Sequence, residues 1–212
     1  MGSPGRLYTL DETMSFAGRR KGREMRFWFD EARTAQAAAY LVSLDGGEMS
    51  YLNLMKLLYL SDREVFVRTG VPITGDRWMS MPEGPILSAT LDLIKDRDTV
   101  VRPRSPWHSL LLTRPERRSV ALRAPVTDLG ELSEFHRQIL EETFATFGRL
   151  SSLDLRESTH EYQAEAGNPD YPSHPIEPRA VLESAGVPAD EIALIEQEAE
   201  EEWFMRSLER SA

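Results

Sequence analysis

Cysteine is absent from the 212 residues. Disulfides, thiolate metal sites, iron–sulfur clusters and cysteine nucleophiles are thereby excluded, which fits a reducing compartment. No apolar run is long enough to cross a bilayer, and the first residues lack the apolar stretch and cleavage pattern of a signal peptide. The expectation is a soluble, cytoplasmic protein with no membrane contact. Phosphate-cradling glycine loops are missing, as are the G-x-S-x-G elbow and the H-E-x-x-H helix. Only four histidines occur, His108, His136, His160 and His174, too scattered to suggest a metal cage, so no metal or other cofactor is expected. Positive charge is scarce as well. With 25 Lys+Arg against 35 Asp+Glu, the net charge is −10, which argues against general attraction to nucleic acid.

What is present is a globular composition, 41% hydrophobic and 28% charged, sufficient for one domain with an appendage. Residues 1–24 are glycine-rich and basic with no apolar period, and read as a flexible arm. Met1-Gly2-Ser3 resembles an added leader, and Met25 stands where a natural start would be. After Asp30 the stripe Ala35, Ala38, Ala39, Val42 predicts a helix stopped by Gly46-Gly47. Ser50 is placed to cap a second helix with the stripe Leu54, Leu57, Leu58, Val65, ending at Gly70. Its opposite face, Asn53, Lys56, Tyr59 and Arg63, reads as solvated. Residues 70–76 form a structured loop, and Gly84-Pro85-Ile86 is suited to open a third helix. Two short runs, Trp107 to Thr113 and Arg117 to Arg123, predict a hairpin. Ser133 opens a helix closed by Gly148, and Ser151 with Asp154 starts a short one reaching about His160. The segment from Asn168 to Pro175 is a wrapping linker. Pro178, Gly186 and Pro188 mark a final helical hairpin, whose long member carries the stripe Ile192, Ile195, Ala199, Trp203 on an acidic rod.

Candidate chemistry is sparse. Asp62 and Asp76 flank the glycine–proline loop and, brought together, would make an acid–base pair. The plainer reading pairs Asp62 with a base and lets Asp76 bind loop amides. An enzyme would need both carboxylates and a histidine in one cleft. Phe27, Trp28 and Phe29 either anchor the first helix to the core or, beside the basic arm, stack on bases. Trp203, Phe204, Met205 and Leu208 either pack on the domain or lie in a partner's groove.

The segment Tyr51 to Arg63, then Pro72-Ile73-Thr74-Gly75-Asp76, then Gly84-Pro85 with Ser88 and Leu91, resembles the Panacea domain of SocA-like antitoxins. Leu132-Ser133, Leu150-Ser151, Leu155 and Thr159-His160 are similar to its closing part. The likeness runs from about Phe27 to about His160. It departs in having no tryptophan soon after His160, and in the long acidic tail. The resemblance implies a non-enzymatic antitoxin, encoded beside a toxin and neutralising it by direct binding. The family's namesake is linked to toxin degradation as a protease adaptor, so delivery to a protease is an alternative. A DNA-binding autorepressor using the basic arm is another, and the arm is the one expected route to nucleic acid.

The expected fold is α+β and mainly α, a compact helical domain with a small β-hairpin and a C-terminal acidic helical extension. The expected divisions are 1–24 (arm), 25–165 (Panacea-like domain) and 166–212 (proline-rich linker and acidic helical hairpin). Expected partner contacts for a cognate toxin are Lys56, Tyr59, Asp62, Arg63, Asp76, Trp78, Trp203 and Phe204.

Overall fold

Asp30 precedes an alanine-rich stripe, and its carboxylate accepts the Arg33 amide at 2.9 Å, satisfying a free donor of the first turn. Helix α1 (Glu31–Leu44) follows and buries Ala35, Ala38, Leu41 and Val42 before the turn at Gly46-Gly47. The computed structural model describes residues 25–95, 105–160 and 173–209. The arm expected at 1–24 and most of the linker before Ser173 lie outside these residues.

Strand β1 (Glu48–Ser50) leads directly into α2 (Tyr51–Thr69). Ser50 stands at the N-cap position, but its hydroxyl makes no capping bond, because this residue is also the last in the β1 ladder, opposite Ser119. The stripe Leu54, Leu57, Leu58, Val65 is buried as expected. The face expected to be solvated is not: Lys56, Tyr59 and Arg63 are buried too. Helices and turns from distant parts of the chain cover most of α2, leaving Glu64 and Arg68 near its end partly in solvent. A helix enclosed in this way must find internal partners for its polar groups.

Gly70 ends α2 in the left-handed region at φ 76°. The loop from Val71 to Arg77 leads to β2 (Trp78–Ser80), which pairs antiparallel with β3 (Ile86–Leu87). The helix start expected at Gly84-Pro85-Ile86 is therefore displaced. Helix α3 spans Ser88–Lys95, because Ile86 and Leu87 are held in the β2 ladder and the cap comes from Asp76. A short α4 (Pro106–Leu110) opens on Ser105, whose hydroxyl accepts from the His108 amide, with Pro106 in the first turn and Trp107 fully buried. The expected hairpin is thus shorter: β4 (Leu111–Arg114) and β5 (Ser119–Leu122), joined by a 3₁₀ turn at Pro115–Arg117. With β1 they form a sheet of order β1-β5-β4.

Helix α5 (Glu134–Phe147) is capped by Ser133 and packs against α1 and α2. Helix α6 (Ser152–His160) begins with a hydrogen bond from the Asp154 amide to the Ser151 hydroxyl. Strand β6 (His174–Pro175) joins the second sheet, of order β3-β2-β6. Helices α7 (Pro178–Ser184) and α8 (Ala189–Glu209) close the chain. Val181, Leu182, Ile192 and Ala199 belong to the same apolar core as α2. The architecture is mainly helical α+β with two small antiparallel sheets, as expected.

Gly75 marks the tightest crossing. Its φ is 64°, and a Cβ there would lie 2.1 Å from the Trp28 carbonyl oxygen, a contact that no rotamer change relieves. Gly75→Ala is expected to lower stability by at least about 2 kcal/mol, through left-handed strain plus backbone overlap, as measured by urea denaturation against the parent chain.

Candidate functional site

Asp62 of α2 and the Thr74–Asp76 loop form one continuous polar cluster. Asp62 is fully enclosed. One of its oxygens accepts the Thr74 amide at 2.8 Å. The other accepts the Thr74 hydroxyl at 2.9 Å and the Trp78 indole N–H at 2.7 Å. The Thr74 hydroxyl in turn accepts the Asp76 amide at 3.0 Å, so one side chain links both aspartates. Asp76 takes the Arg77 and Ala89 amides on one oxygen, and the Thr90 amide and hydroxyl on the other, all within 2.7–2.8 Å. Ala89 and Thr90 lie in the first turn of α3, where a carboxylate satisfies free amides and faces the positive end of the helix dipole.

Asp76 therefore binds loop and helix amides, as the plainer reading had it. Asp62 does not pair with a base; its partners are Thr74 and Trp78. Both carboxyls are pushed above the ordinary value of 3.8. Burial is the main cause, opposed by the hydrogen bonds, and Asp62 reaches about 6 with a further rise from the charge of Asp76. The two carboxylates are linked through the Thr74 hydroxyl, and among the described residues no histidine is a partner of either. Among the described residues no cluster of His, Asp and Glu is arranged to hold a metal ion.

A second cluster joins the remaining motif residues. The Lys56 ammonium donates to the Pro85 carbonyl at 2.9 Å, inside the fold. A Cβ on Gly84 would sit 2.7 Å from Lys56 Nζ and 3.0 Å from Thr159 Oγ1, so α2, the Gly84-Pro85 turn and α6 converge there. Burial drives Lys56 down from 10.5 to about 7, with Glu83 opposing the fall and Arg156 adding to it.

Tyr59, Trp78, Phe66 and Phe27 form an edge-to-face series with ring centroids 5.3–6.1 Å apart, the geometry that aromatic quadrupoles favour. Tyr59 has no exposed surface and Trp78 almost none. Arg63 is buried beside a polar depression of about 180 Å³ between α2 and α5, lined also by Glu64, Arg68 and Glu142. Of the residues expected to touch a partner, Trp203 is half-buried and Phe204 exposed; the other six are enclosed.

Trp203 lies stacked on Trp28, with centroids 4.1 Å apart and planes 9° from parallel, and the Arg26 guanidinium is 6.0 Å from the Trp203 centroid. A groove of about 350 Å³ opens beside this stack, lined by Phe27, Arg77, Trp78, Ile176, Pro178 and Trp203 among others. Sequence reasoning placed Trp203 on the inner stripe of the last helix and left Trp28 as either a core anchor or a platform for bases, and did not pair them. Their shared excess of aromatic surface was the only signal available.

Two outcomes follow from the clusters. Asp62→Ala leaves the Thr74 and Trp78 donors unpaired inside the fold, so it is expected to cost about 3 kcal/mol or more in urea denaturation. Lys56, with its folded value below its unfolded one, adds stability that is complete above about 10.5 and lost as pH falls toward about 7. The thermal midpoint of the parent chain should therefore contain a component that rises between pH 7 and pH 10, and this component should be missing in Lys56→Met.

Residues 54–164 match the family model described as antitoxin SocA-like, Panacea domain. The match contains both polar clusters and leaves α1, α7 and α8 outside it. No curated protein matches the chain, and no solved structure does. Matched over more than half its length, with the motif residues drawn into two buried clusters, the chain belongs to the SocA-like antitoxins of the Panacea domain.

Proposed function

We propose that this protein is the antitoxin of a type II toxin–antitoxin pair and silences its toxin by direct protein–protein contact, without catalysis. The observation that carries this reading is the family match over 54–164. The fate of the polar residues supports it. Asp62 and Asp76 spend their oxygens on donors of the chain itself, which suits a clamp better than an acid–base pair waiting for substrate. What is left to act is the outer surface, and a protein that covers a toxin needs an ordered face with accessible apolar anchors.

The contacts expected at Tyr59, Asp62, Asp76 and Trp78 act through this scaffold: they hold the face rather than touch the toxin. Phe204 has surface to offer and carries direct contact in this reading, while half-buried Trp203 seats the helix that bears it on Trp28. No helix among the described residues is long and apolar enough to cross a membrane, and the proposed meeting place is the cytoplasm.

Co-expression with the product of the adjacent gene tests the proposal. That product alone should arrest growth, this chain should restore it, and the two should co-purify as a stable complex. Rescue accompanied by disappearance of the toxin, and prevented by protease deletion, would instead establish delivery for degradation. Arrest without rescue and without a complex would refute the reading.

A further inference from the structure

Helix α8 has two apolar faces, and the core uses one. Ile192, Glu196 and Ala199 are buried, and Trp203 continues that line onto Trp28. At about 100° per residue, Leu194, Phe204, Met205 and Leu208 fall within roughly 100° of one another on the far side of the helix. They are 51–62% exposed, and Leu194, Phe204, Met205 and Leu208 account for most of the large apolar side chains left in solvent among the described residues. A helix that merely closed a domain would be polar on its outer face. Exposed apolar residues gathered on one face mark an interaction surface.

The charge around this face is equally one-sided. Between Ala189 and Glu209 there are eight acidic residues and one basic, Arg206, which is already paired with Glu202 at 2.9 Å. Glu198, Glu201 and Glu209 are exposed and share the outward side with the apolar residues. A second copy of this chain would bring the same carboxylates against their own kind, which disfavours self-association through the face. A partner with basic residues around an apolar groove gains on both counts, since the groove takes the side chains and its rim takes the charge.

We propose that the outward face of α8 docks as a helix into an apolar groove of the toxin whose rim carries lysine and arginine. The inference rests on the antitoxin reading and assigns its contact to a helix outside the family-matched residues. Such a toxin surface is of the kind that itself binds nucleic acid or nucleotide phosphate, so occupying it would block the toxin's substrate as well as hold the toxin. The stack of Trp203 on Trp28 fixes the inner side of the helix, so the docking face is presented in a set orientation, and less ordering cost remains for the complex.

The test uses the full-length chain and the product of the adjacent gene, with affinity measured by calorimetry. Two variants alter the outward face alone: Phe204→Ser with Met205→Ser and Leu208→Ser, and Glu198→Lys with Glu201→Lys and Glu209→Lys. All six residues are exposed, so both variants should keep the parent's thermal midpoint within a few degrees. Each should bind at least tenfold more weakly, with a matching loss of growth rescue. Unchanged affinity in both variants, while the parent chain binds and rescues, would overturn this inference and leave the antitoxin reading standing. A parent chain that forms no complex would overturn both. A parent dimer in solution that the serine variant dissociates would show a second copy as the occupant, and would also overturn the proposal.

Discussion

Withdrawing the Asp62 carboxylate from water in the middle of α2 is the constraint on which the rest of the structure depends. A buried carboxyl costs several kcal/mol unless donors surround it, and here Thr74 supplies two of them and Trp78 the third. For Thr74 to present both amide and hydroxyl, the loop after α2 has to double back along the helix. That path puts Gly75 in the left-handed region and brings the Trp28 carbonyl so close that no side chain fits. The Asp30 amide then donates to the Thr74 carbonyl at 2.9 Å, which ties the entry to α1 to the same residue. Trp28, held by this crossing, becomes the platform for Trp203. A single enclosed carboxylate thus sets the loop, the start of the first helix and the seat of the last one.

Asp76 carries the constraint onward. Its oxygens take the first amides of α3, and its own amide rests on the Thr74 hydroxyl, so α2 and α3 are connected through a short relay of polar groups rather than by apolar contact alone. Lys56 performs the corresponding task on the other side, joining α2 to the Gly84-Pro85 turn beside Thr159. Polar groups buried and fully engaged fix a unique arrangement in a way that interchangeable aliphatic side chains do not. The opposite pKa displacements of the two sites follow from the same burial. It pushes Asp62 up and Lys56 down, each toward its neutral form.

The sequence made the helices legible because one apolar face is enough to produce a period. The stripes of α1, α2, α5 and α8 all point inward, and Asp30, Ser133 and Ser151 act at helix starts as short polar residues should. The second face of α2 was not legible. Its covers, the Gly84-Pro85 turn, Trp78 and α6, are remote in the chain, and an isolated Asn, Lys, Tyr, Arg row has the composition of a wet surface. The shortest strands were lost for a different reason: β1, β3 and β6 have two or three residues each, too few for alternation to register. Pro85 was misplaced because its fixed φ suits a helix start, whereas the β2 ladder claims the two residues after it. The expected contacts at Lys56, Tyr59, Asp62, Arg63 and Asp76 were read from a motif, and a motif does not say whether it faces inward or outward.

That inward orientation bears on where the partner surface proposed above can lie. If the residues that identify the family are consumed in holding α2, the loop and α3 together, then recognition of a particular toxin has to be carried by surface outside those clusters. In this chain the strongest outward-facing signal lies beyond the matched residues, on a helix whose inner side is seated by an aromatic stack. Seating it there has a physical advantage. The Trp28–Trp203 contact and the close approach of Ile195 to Gly70 involve only the inner side of α8, so substitutions on the outer side leave the core untouched. With the docking proposed for α8, stability and partner binding become nearly independent, since the outer face can be altered while Asp62, Thr74 and Asp76 stay in place.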